Sequence, residues 1–220
     1  MSDPGNLYVI SAPSGTGKTT LVKALVDSIP AMTVSVSHTT RPKRPAEIEG
    51  VDYHFVGEKE FHRMIEHNDF LEYATVFHHF YGTSRTWVQH TLARGSDVIL
   101  EIDWQGCLQI QRIFPHSISV FILPPSLADL SDRLKKRNQD NDDIIQQRLA
   151  DTRETVSHVH DFNYVIVNDD FDRALNELKT IIQAGRLQQE KQTVKLSNLL
   201  NELLSSPTSS PTHDRDAEKE

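Results

Sequence analysis

A glycine-rich stretch near the amino terminus, SAPSGTGKTT at residues 11–20, has the residue types and the spacing of a phosphate-binding loop. Gly15 and Gly17 allow backbone angles, and a close approach to an anion, that a Cβ would prevent. Successive N–H groups from Ser14 to Thr19 would lie at the start of a helix, whose dipole favours negative charge. The stretch therefore predicts a cradle for the phosphates of a nucleoside triphosphate.

The lysine and threonine at the end of this loop would contact the phosphates and the metal ion. Lys18 would reach the β- and γ-phosphate oxygens, and the hydroxyl of Thr19 would bind Mg²⁺. Ala12 stands where the usual pattern has its first glycine. Because Pro13 follows it, we expect ordinary extended backbone at that position. The residues predicted to hold the triphosphate are Ala12, Pro13, Ser14, Gly15, Thr16, Gly17, Lys18 and Thr19.

A tight turn without a ligand is the plain alternative for these glycines. The segment LYVIS, residues 7–11, is an apolar run typical of a buried strand, and Leu21, Leu25 and Ile29 recur every four positions after the loop, as on one helix face. The order of strand, glycine turn and helix is the context that a phosphate loop needs, so the ligand-binding interpretation is favoured.

A cluster of basic residues follows the second predicted strand. Arg41, Lys43 and Arg44 fall within SVSHTTRPKRP, residues 35–45, although the whole chain carries a net charge of -8. Ligands of open α/β sheets bind at the carboxyl ends of strands, and two arginines there can hold a second phosphate with paired hydrogen bonds. A solvated basic loop is the alternative.

Two further sets of charged residues are candidates for the same chemistry. Glu101 and Asp103 end a predicted strand two positions apart, so we expect both side chains to point the same way, and either could serve as an oxygen ligand for Mg²⁺. Arg133 and Arg137 are four residues apart on one predicted helix, and Arg148 lies on the next. Ordinary salt links on two solvated helices are the alternative for these arginines.

Composition excludes several classes of protein. The net charge of -8 argues against a protein that coats nucleic acid, since phosphate neutralisation dominates that binding. The single cysteine, Cys107, has no partner for a disulfide and is expected to be a packed thiol in a reducing compartment. The chain shows no signal-peptide pattern and no apolar run of about 18 residues. We therefore expect a soluble, cytoplasmic protein without a membrane partner.

Alternating strands and helices predict a parallel α/β sheet. Between residues 51 and 83 short apolar pieces alternate with a small helix, which suggests a compact α+β insertion. The segment VKLSNLLNELL is amphipathic and could pack or pair, whereas the Ser/Pro/Thr-rich end of the chain is expected to be disordered. The predicted strands of the sheet are residues 7–11, 32–37, 97–103, 117–123 and 163–168.

Several segments together resemble guanylate kinases of the bacterial type over about residues 5–190. They are SAPSGTGKTT, SVSHTTRPKRP, FLEYATVFHHFYGTSR, EIDWQGCLQI, FILPPS and YVIVNDD, in the family's order and spacing. The resemblance implies a P-loop three-layer α/β fold with a central parallel sheet, a small α+β GMP-binding insertion and a helical lid. It also implies transfer of the γ-phosphoryl group of ATP to GMP, and to dGMP, with Mg²⁺. The implied division is a core of residues 1–36, 84–125 and 161–190, an insertion of 37–83, a lid of 126–160 and a carboxyl-terminal segment of 191–220.

The resemblance assigns a GMP site to the insertion. Glu72 is the only acid in the apolar run from Phe70 to Phe77. One carboxylate can accept hydrogen bonds from both N1–H and the 2-amino group of guanine, whereas N1 of adenine is an acceptor and would repel it. A surface-facing strand glutamate is the alternative. The implied GMP-binding residues are Ser37, Arg41, Arg44, Tyr53, Glu72, Tyr81, Thr83 and Asp103.

The resemblance also implies that lid arginines neutralise the transferred phosphoryl group. Arg133 would act on the ATP side or support the structure. The chain departs from the family pattern at Lys136 and Asn138, which flank the second lid arginine, at Ala46, and at Glu101, where aspartate is usual. The implied catalytic residues are Lys18, Arg44, Arg137 and Arg148.

Two other functions remain as alternatives. A guanylate-kinase-like domain can be a non-catalytic module that binds phosphopeptides, but the intact sequence Gly17-Lys18-Thr19 disfavours that interpretation. A kinase for another small phosphate acceptor is disfavoured by Glu72. The sequence does not decide between a monomer and a homo-oligomer.

Overall fold

The computed structural model describes residues 4–136 and 142–205. The strands are β1 (Leu7–Ser11), β2 (Met32–Val34), β3 (His38–Thr39), β4 (His54–Phe55), β5 (Phe70–Val76), β6 (His79–Ser84), β7 (Asp97–Glu101), β8 (Ile118–Leu123) and β9 (Tyr164–Val167). The helices are α1 (Lys18–Ser28), α2 (Glu58–Glu66), α3 (Arg85–Ala93), α4 (Trp104–Ile113), α5 (Leu127–Lys136), α6 (Asp142–Ser157), α7 (Phe171–Arg186), α8 (Gln189–Lys195) and α9 (Ser197–Leu204), with a short 3-10 helix at Val159–Asp161.

Five strands form a central parallel sheet in the order β2-β7-β1-β8-β9, which confirms the predicted α/β class. All five residues of β1 are buried, as expected for a middle strand that is covered on both faces. The parallel register sets Ile10 beside Glu101 of β7. The carboxyl ends of β1 and β7 therefore meet at one edge, where the glycine-rich loop begins.

Two strands end two or three residues before the sequence predicts, whereas β8 and β9 differ from the prediction by no more than one residue at either end. The segment expected at 32–37 is a sheet strand only over Met32–Val34, because the chain then crosses to a second sheet. The segment expected at 97–103 ends at Glu101, because Asp103 is the N-cap of α4 and accepts the N–H of Gly106 at 2.9 Å.

Helices cover both faces of the central sheet. On one face, Leu21 and Leu25 of α1 and Leu178 of α7 pack with Tyr8 and other buried side chains of the sheet. On the other face, side chains of α3 and α4 form a second buried cluster that includes Cys107. Cys107 is fully buried, as predicted for a packed thiol.

A second sheet of four strands, in the order β4-β3-β6-β5, is formed within residues 38–84. Helix α2 packs on it through Phe61, whose ring centroid lies 4.5 Å from that of Phe70 and 5.4 Å from that of Phe80. The boundaries 37–83 for the insertion and 126–160 for the lid stay predictions.

The carboxyl-terminal part continues as α8 and α9. The predicted amphipathic segment falls largely on α9, where Leu199, Leu200, Leu203 and Leu204 are exposed. Residues 206–220, for which disorder is predicted, lie outside the described residues. Within the part of the chain that the structure describes, every helix is too short or too polar to cross a bilayer.

We expect Phe61→Ala to lower the free energy of unfolding by about 3–5 kcal/mol, because it removes a fully buried ring from the contact of α2 with the second sheet. Urea unfolding followed by circular dichroism measures the change. The control is Glu66→Ala at an exposed position of the same helix, which should change the value by no more than about 0.5 kcal/mol. A loss below about 1 kcal/mol for Phe61→Ala would contradict the packing role.

Candidate active site

The loop between β1 and α1 has the geometry that its glycines predict. Gly15 and Gly17 have φ values of 91° and 98°. A Cβ at Gly15 would lie 2.8 Å from Cδ2 of Leu134, and one at Gly17 would lie 2.6 Å from Nδ2 of Asn168. Both positions thus require glycine for backbone angle and for space. Ala12 is not among the residues with positive φ, so its position does not require glycine.

Helix α1 begins at Lys18 with Gly17 as its N-cap, and no side chain caps its first N–H groups. The Thr19 hydroxyl donates a hydrogen bond of 3.0 Å to Oε2 of Glu101, and Lys18 Nζ lies 3.7 Å from the same oxygen. The structure therefore brings Lys18, Thr19 and Glu101 together. A hydroxyl and a carboxylate side by side are hard oxygen ligands of the kind that Mg²⁺ uses, so the residues fit that ion.

The expectation that Glu101 and Asp103 point the same way stays a prediction. Strand alternation stops at Glu101, and the Asp103 carboxylate caps α4 and accepts a bond of 3.2 Å from Gln105 Nε2. Burial raises the pKa of Asp103, while the Gly106 N–H and the charge of Lys18 oppose the rise. Glu101, not Asp103, is the acid that contacts Thr19.

The carbonyl of Thr16 anchors the loop to the rest of the site. It accepts hydrogen bonds from Asn168 Nδ2 at 2.7 Å and from Arg133 Nη1 at 3.0 Å, and Arg133 Nη2 donates to the Asn168 carbonyl at 3.0 Å. Arg133 thus bonds to backbone carbonyls of the loop region. Asn168 was missed as a functional residue, although its place directly after a predicted strand was a usable signal.

Arg148 contacts both the loop and the second sheet. Its Nη1 donates a hydrogen bond of 3.2 Å to the Ser14 hydroxyl, and its guanidinium carbon lies 5.9 Å from the ring centroid of Phe77. Phe77 and His78 form the turn between β5 and β6, both with positive φ. Arg137, the other predicted lid arginine, lies outside the described residues.

Arg41 is held in place by an acid and an aromatic ring. Its guanidinium donates two hydrogen bonds to Glu47, at 2.6 and 3.1 Å, and lies 5.3 Å from the ring centroid of Tyr53. The backbone N–H of Arg44 donates to the same carboxylate at 2.8 Å. Glu47 therefore organises both predicted phosphate-binding arginines, a role that the sequence analysis missed.

The predicted tyrosines lie beside this cluster. The rings of Tyr53 and Tyr81 meet edge to face with centroids 5.9 Å apart. Burial, with smaller contributions from Tyr81 and the Glu101 carboxylate, raises the pKa of Tyr53 to about 12. Tyr53 therefore lies within electrostatic range of the acid beside Lys18. Ser37 contributes its carbonyl, which accepts the N–H of His54 at 2.9 Å.

Glu72 lies on β5 and is only 3% exposed. Its Oε1 accepts a hydrogen bond of 2.6 Å from the Thr83 hydroxyl on the neighbouring strand. Burial raises the pKa of Glu72 to about 7, with a smaller upward contribution from the Asp103 charge, while Thr83 lowers it. The predicted guanine-reading residues Glu72, Thr83 and Asp103 are thus close together, and the surface-strand alternative for Glu72 is wrong. No group of three or more His, Cys, Asp or Glu side chains within residues 4–136 and 142–205 is arranged to hold a metal ion.

Comparison with known proteins gives one family. The family model for guanylate kinase matches residues 4–185. The chain is 55% identical over 205 residues to the guanylate kinase of Saccharophagus degradans, a match that covers 93% of this chain and 100% of that protein. It is 53% identical over 199 residues to the guanylate kinase of Coxiella burnetii, over 90% of this chain and 97% of that protein.

Solved structures agree with this result. The crystal structure of guanylate kinase from Anaplasma phagocytophilum is similar with a TM-score of 0.74 and 31% sequence identity, over 92% of this chain and 96% of that chain. With a family model matching most of its length and curated relatives more than half identical to it, the chain belongs to the guanylate kinase family.

Proposed function

We propose that this protein transfers the γ-phosphoryl group of ATP to GMP, giving ADP and GDP, and that it also accepts dGMP. The observation that carries the proposal is a buried carboxylate, Glu72, in a sheet next to a complete phosphate loop. Family membership and the curated relatives named guanylate kinase support the same reaction. The net charge of -8 and the buried thiol of Cys107 support a protein of the reducing cytoplasm that acts on small nucleotides, without a nucleic-acid or membrane partner.

The donor half is the loop of residues 12–19. Its N–H groups and the positive end of α1 bind the triphosphate of ATP, and Lys18 neutralises the β- and γ-oxygens. Thr19 and Glu101 would hold Mg²⁺, which when bound neutralises charge on the β- and γ-phosphate oxygens. Asn168 and Arg133 hold the Thr16 carbonyl, which keeps the loop open for the anion.

The acceptor half holds the phosphate of GMP through Arg41, Arg44, Tyr53 and Tyr81, with Ser37 beside them. Arg41 is already fixed by Glu47 and by the Tyr53 ring, so little side-chain freedom is lost on binding. Its guanidinium keeps hydrogen-bond donors for a phosphate, because a guanidinium has five N–H groups, of which the contact with Glu47 uses two and the Pro42 carbonyl a third.

Guanine is read by Glu72, with Thr83 and Asp103 beside it. The carboxylate must be ionised to accept from both N1–H and the 2-amino group. The Thr83 hydroxyl donates a hydrogen bond to Oε1 and so restricts rotation of the carboxylate. Adenine would place an acceptor against this acid, so we expect AMP to be rejected by a large factor.

Transfer itself needs no general base, since the attacking phosphate oxygen of GMP is ionised at neutral pH. The rate comes from alignment of the two nucleotides and from positive charge around the moving group, supplied by Lys18, Arg44, Arg137 and Arg148. Closure of the insertion and the lid would exclude water and prevent hydrolysis of ATP. Contact of Arg148 with both Ser14 and Phe77 fits a residue that joins the halves.

Lys18→Met should lower kcat for ADP formation with GMP by about 100- to 1,000-fold, because the charge on the transferred oxygens loses its nearest cation. GMP binding, measured by calorimetry without ATP, should stay within about twofold because the acceptor half is untouched. Loss of GMP binding in this variant would show that the two halves are misassigned. A wild-type protein that binds a phosphopeptide but forms no ADP would support the non-catalytic alternative.

Glu72→Gln should lower kcat/KM for GMP by about 100-fold at pH 8, because the amide replaces one acceptor by a donor. A coupled assay over GMP, dGMP, AMP, CMP and UMP measures both activity and preference. The matched control is Glu66→Gln on the exposed end of α2, which should retain full activity. Efficient use of AMP by the wild-type protein would contradict the assigned role of Glu72.

The KM for GMP should be about tenfold higher at pH 6 than at pH 8, because a carboxyl with a pKa of about 7 is mostly protonated at the lower pH. The phosphate of GMP also titrates near pH 6. The pH dependence of KM is therefore compared with that of Glu72→Gln, in which only the titration of the phosphate remains. The same raised pKa makes ionisation of Glu72 cost folding stability as pH rises from about 4.5 to 7. Equal pH profiles for the two proteins would contradict titration of Glu72.

A further inference from the structure

Helix α4 of the central core lies directly against the carboxylate of Glu72. An ideal Cβ built on Gly106 would lie 2.5 Å from Oε2 of Glu72, 3.2 Å from its Cδ and 3.0 Å from Cδ1 of Ile102. Ordinary van der Waals contact of a Cβ begins at 3.4 Å. Even an alanine at this position would therefore occupy space that the acid now fills.

The backbone does not explain this glycine. Gly106 lies in the first turn of α4 and is absent from the glycines with positive φ. A glycine inside a helix costs about 0.5–1 kcal/mol of stability relative to alanine. Because the local conformation suits any residue, the space beside Glu72 is the physical reason for glycine here.

A capped first turn and a contact with β5 hold α4 beside the strand that carries Glu72. The N-cap bond from the Gly106 N–H to Asp103 fixes the first turn of the helix at 2.9 Å. One turn further on, Gln109 pairs with the backbone of Tyr73, accepting its N–H at 3.2 Å and donating to its carbonyl at 2.8 Å. The peptide after Glu72 and the Glu72 carboxylate are thus both held by the same helix.

We propose that Gly106 is a specificity-positioning residue: its missing side chain sets where Oε2 of Glu72 lies, and so how the acid meets guanine. The inference rests on the proposed function. Thr83 holds Oε1 by a hydrogen bond, and the absence of a side chain at Gly106 leaves space for Oε2. The orientation of the carboxylate plane toward the two donors of guanine is thereby fixed. Gln109 supports this arrangement by holding the strand.

The expected consequence is selective. Glu72 Oε2 is the end of a side chain and can retreat from a new Cβ, so the fold should tolerate alanine while the acid moves by about 1 Å. A displacement of about 1 Å at a reacting or binding group can cost about 100-fold in rate. GMP recognition should suffer, whereas the loop of residues 12–19, which forms the ATP half, should not.

Gly106→Ala is therefore expected to raise KM for GMP about tenfold or more and to reduce the preference for GMP over AMP, with KM for ATP unchanged within about twofold. Calorimetry of GMP binding without ATP should show the same loss. Steady-state kinetics with each substrate varied in turn, and thermal unfolding, complete the measurement.

Gly185→Ala is the matched control. A Cβ there would lie 2.6 Å from both Ile118 Cδ1 and the Tyr8 hydroxyl oxygen, a similar steric insertion into a helix contact remote from Glu72. It should lower the melting temperature and leave KM for GMP unchanged. A merely structural role for Gly106 would give this same result.

Shortening the acid tests the geometry directly. Glu72→Asp alone should weaken GMP recognition. In the Gly106→Ala background, however, the shorter acid leaves space for the new methyl group. The double variant should therefore bind GMP no more weakly than Gly106→Ala alone. If Gly106→Ala is insoluble, the double variant should be soluble, and failure of both to fold would overturn the proposal.

The inference is also overturned if folded Gly106→Ala keeps KM for GMP within about twofold, if it raises both KM values alike, or if the two substitutions are additive. These results differ from a failure of the proposed function. In that case the wild-type protein would not phosphorylate GMP, or Glu72→Gln would leave KM for GMP unchanged.

Discussion

Parallel hydrogen bonding of β1 between β7 and β8 is the constraint on which the rest of the site depends. The pairing sets Ile10 beside Glu101 on one side and Ser11 beside Phe121 on the other. The loop that leaves β1 therefore begins next to an acid at the end of β7. A slip of one residue would turn Glu101 to the opposite face of the sheet and separate it from Lys18 and Thr19.

The outer elements act on this centre through a few buried polar contacts. Asn168 follows the edge strand β9, yet its amide reaches the Thr16 carbonyl across the sheet edge. Arg133 closes the same network from α5. Such a network is stable only when all its members are satisfied, so the loop, the edge strand and α5 share one arrangement.

Much of the fold was predictable because local patterns were strong. The apolar runs around Val9, Ile99 and Val120 were recognised as buried strands, and the glycines between strand and helix were recognised as a loop with positive φ angles. Glu72 could be singled out because one acid interrupts an apolar run. The resemblance to guanylate kinases supplied the remaining candidates, whose roles stay predictions.

What could not be predicted depends on contacts between distant parts of the chain. Glu47 organises Arg41 only because the intervening loop folds back, and Asn168 meets Thr16 through the sheet order. The end of β7 was predicted two residues too late, because Asp103 caps α4 instead of continuing the strand. The residues around Gly106 did not indicate its role, because the reason for a glycine there is the Glu72 carboxylate, which lies on the second sheet.

The two contacts of Arg148 have a thermodynamic consequence. One guanidinium contacts Ser14 of the glycine-rich loop and Phe77 of the turn between β5 and β6, so the two parts that are proposed to bind nucleotides share a cation. Under the proposed function, a nucleotide that moves Arg148 on one side would change the binding free energy on the other side. Linkage requires this effect to be reciprocal: the factor by which ATP alters GMP affinity equals the factor by which GMP alters ATP affinity.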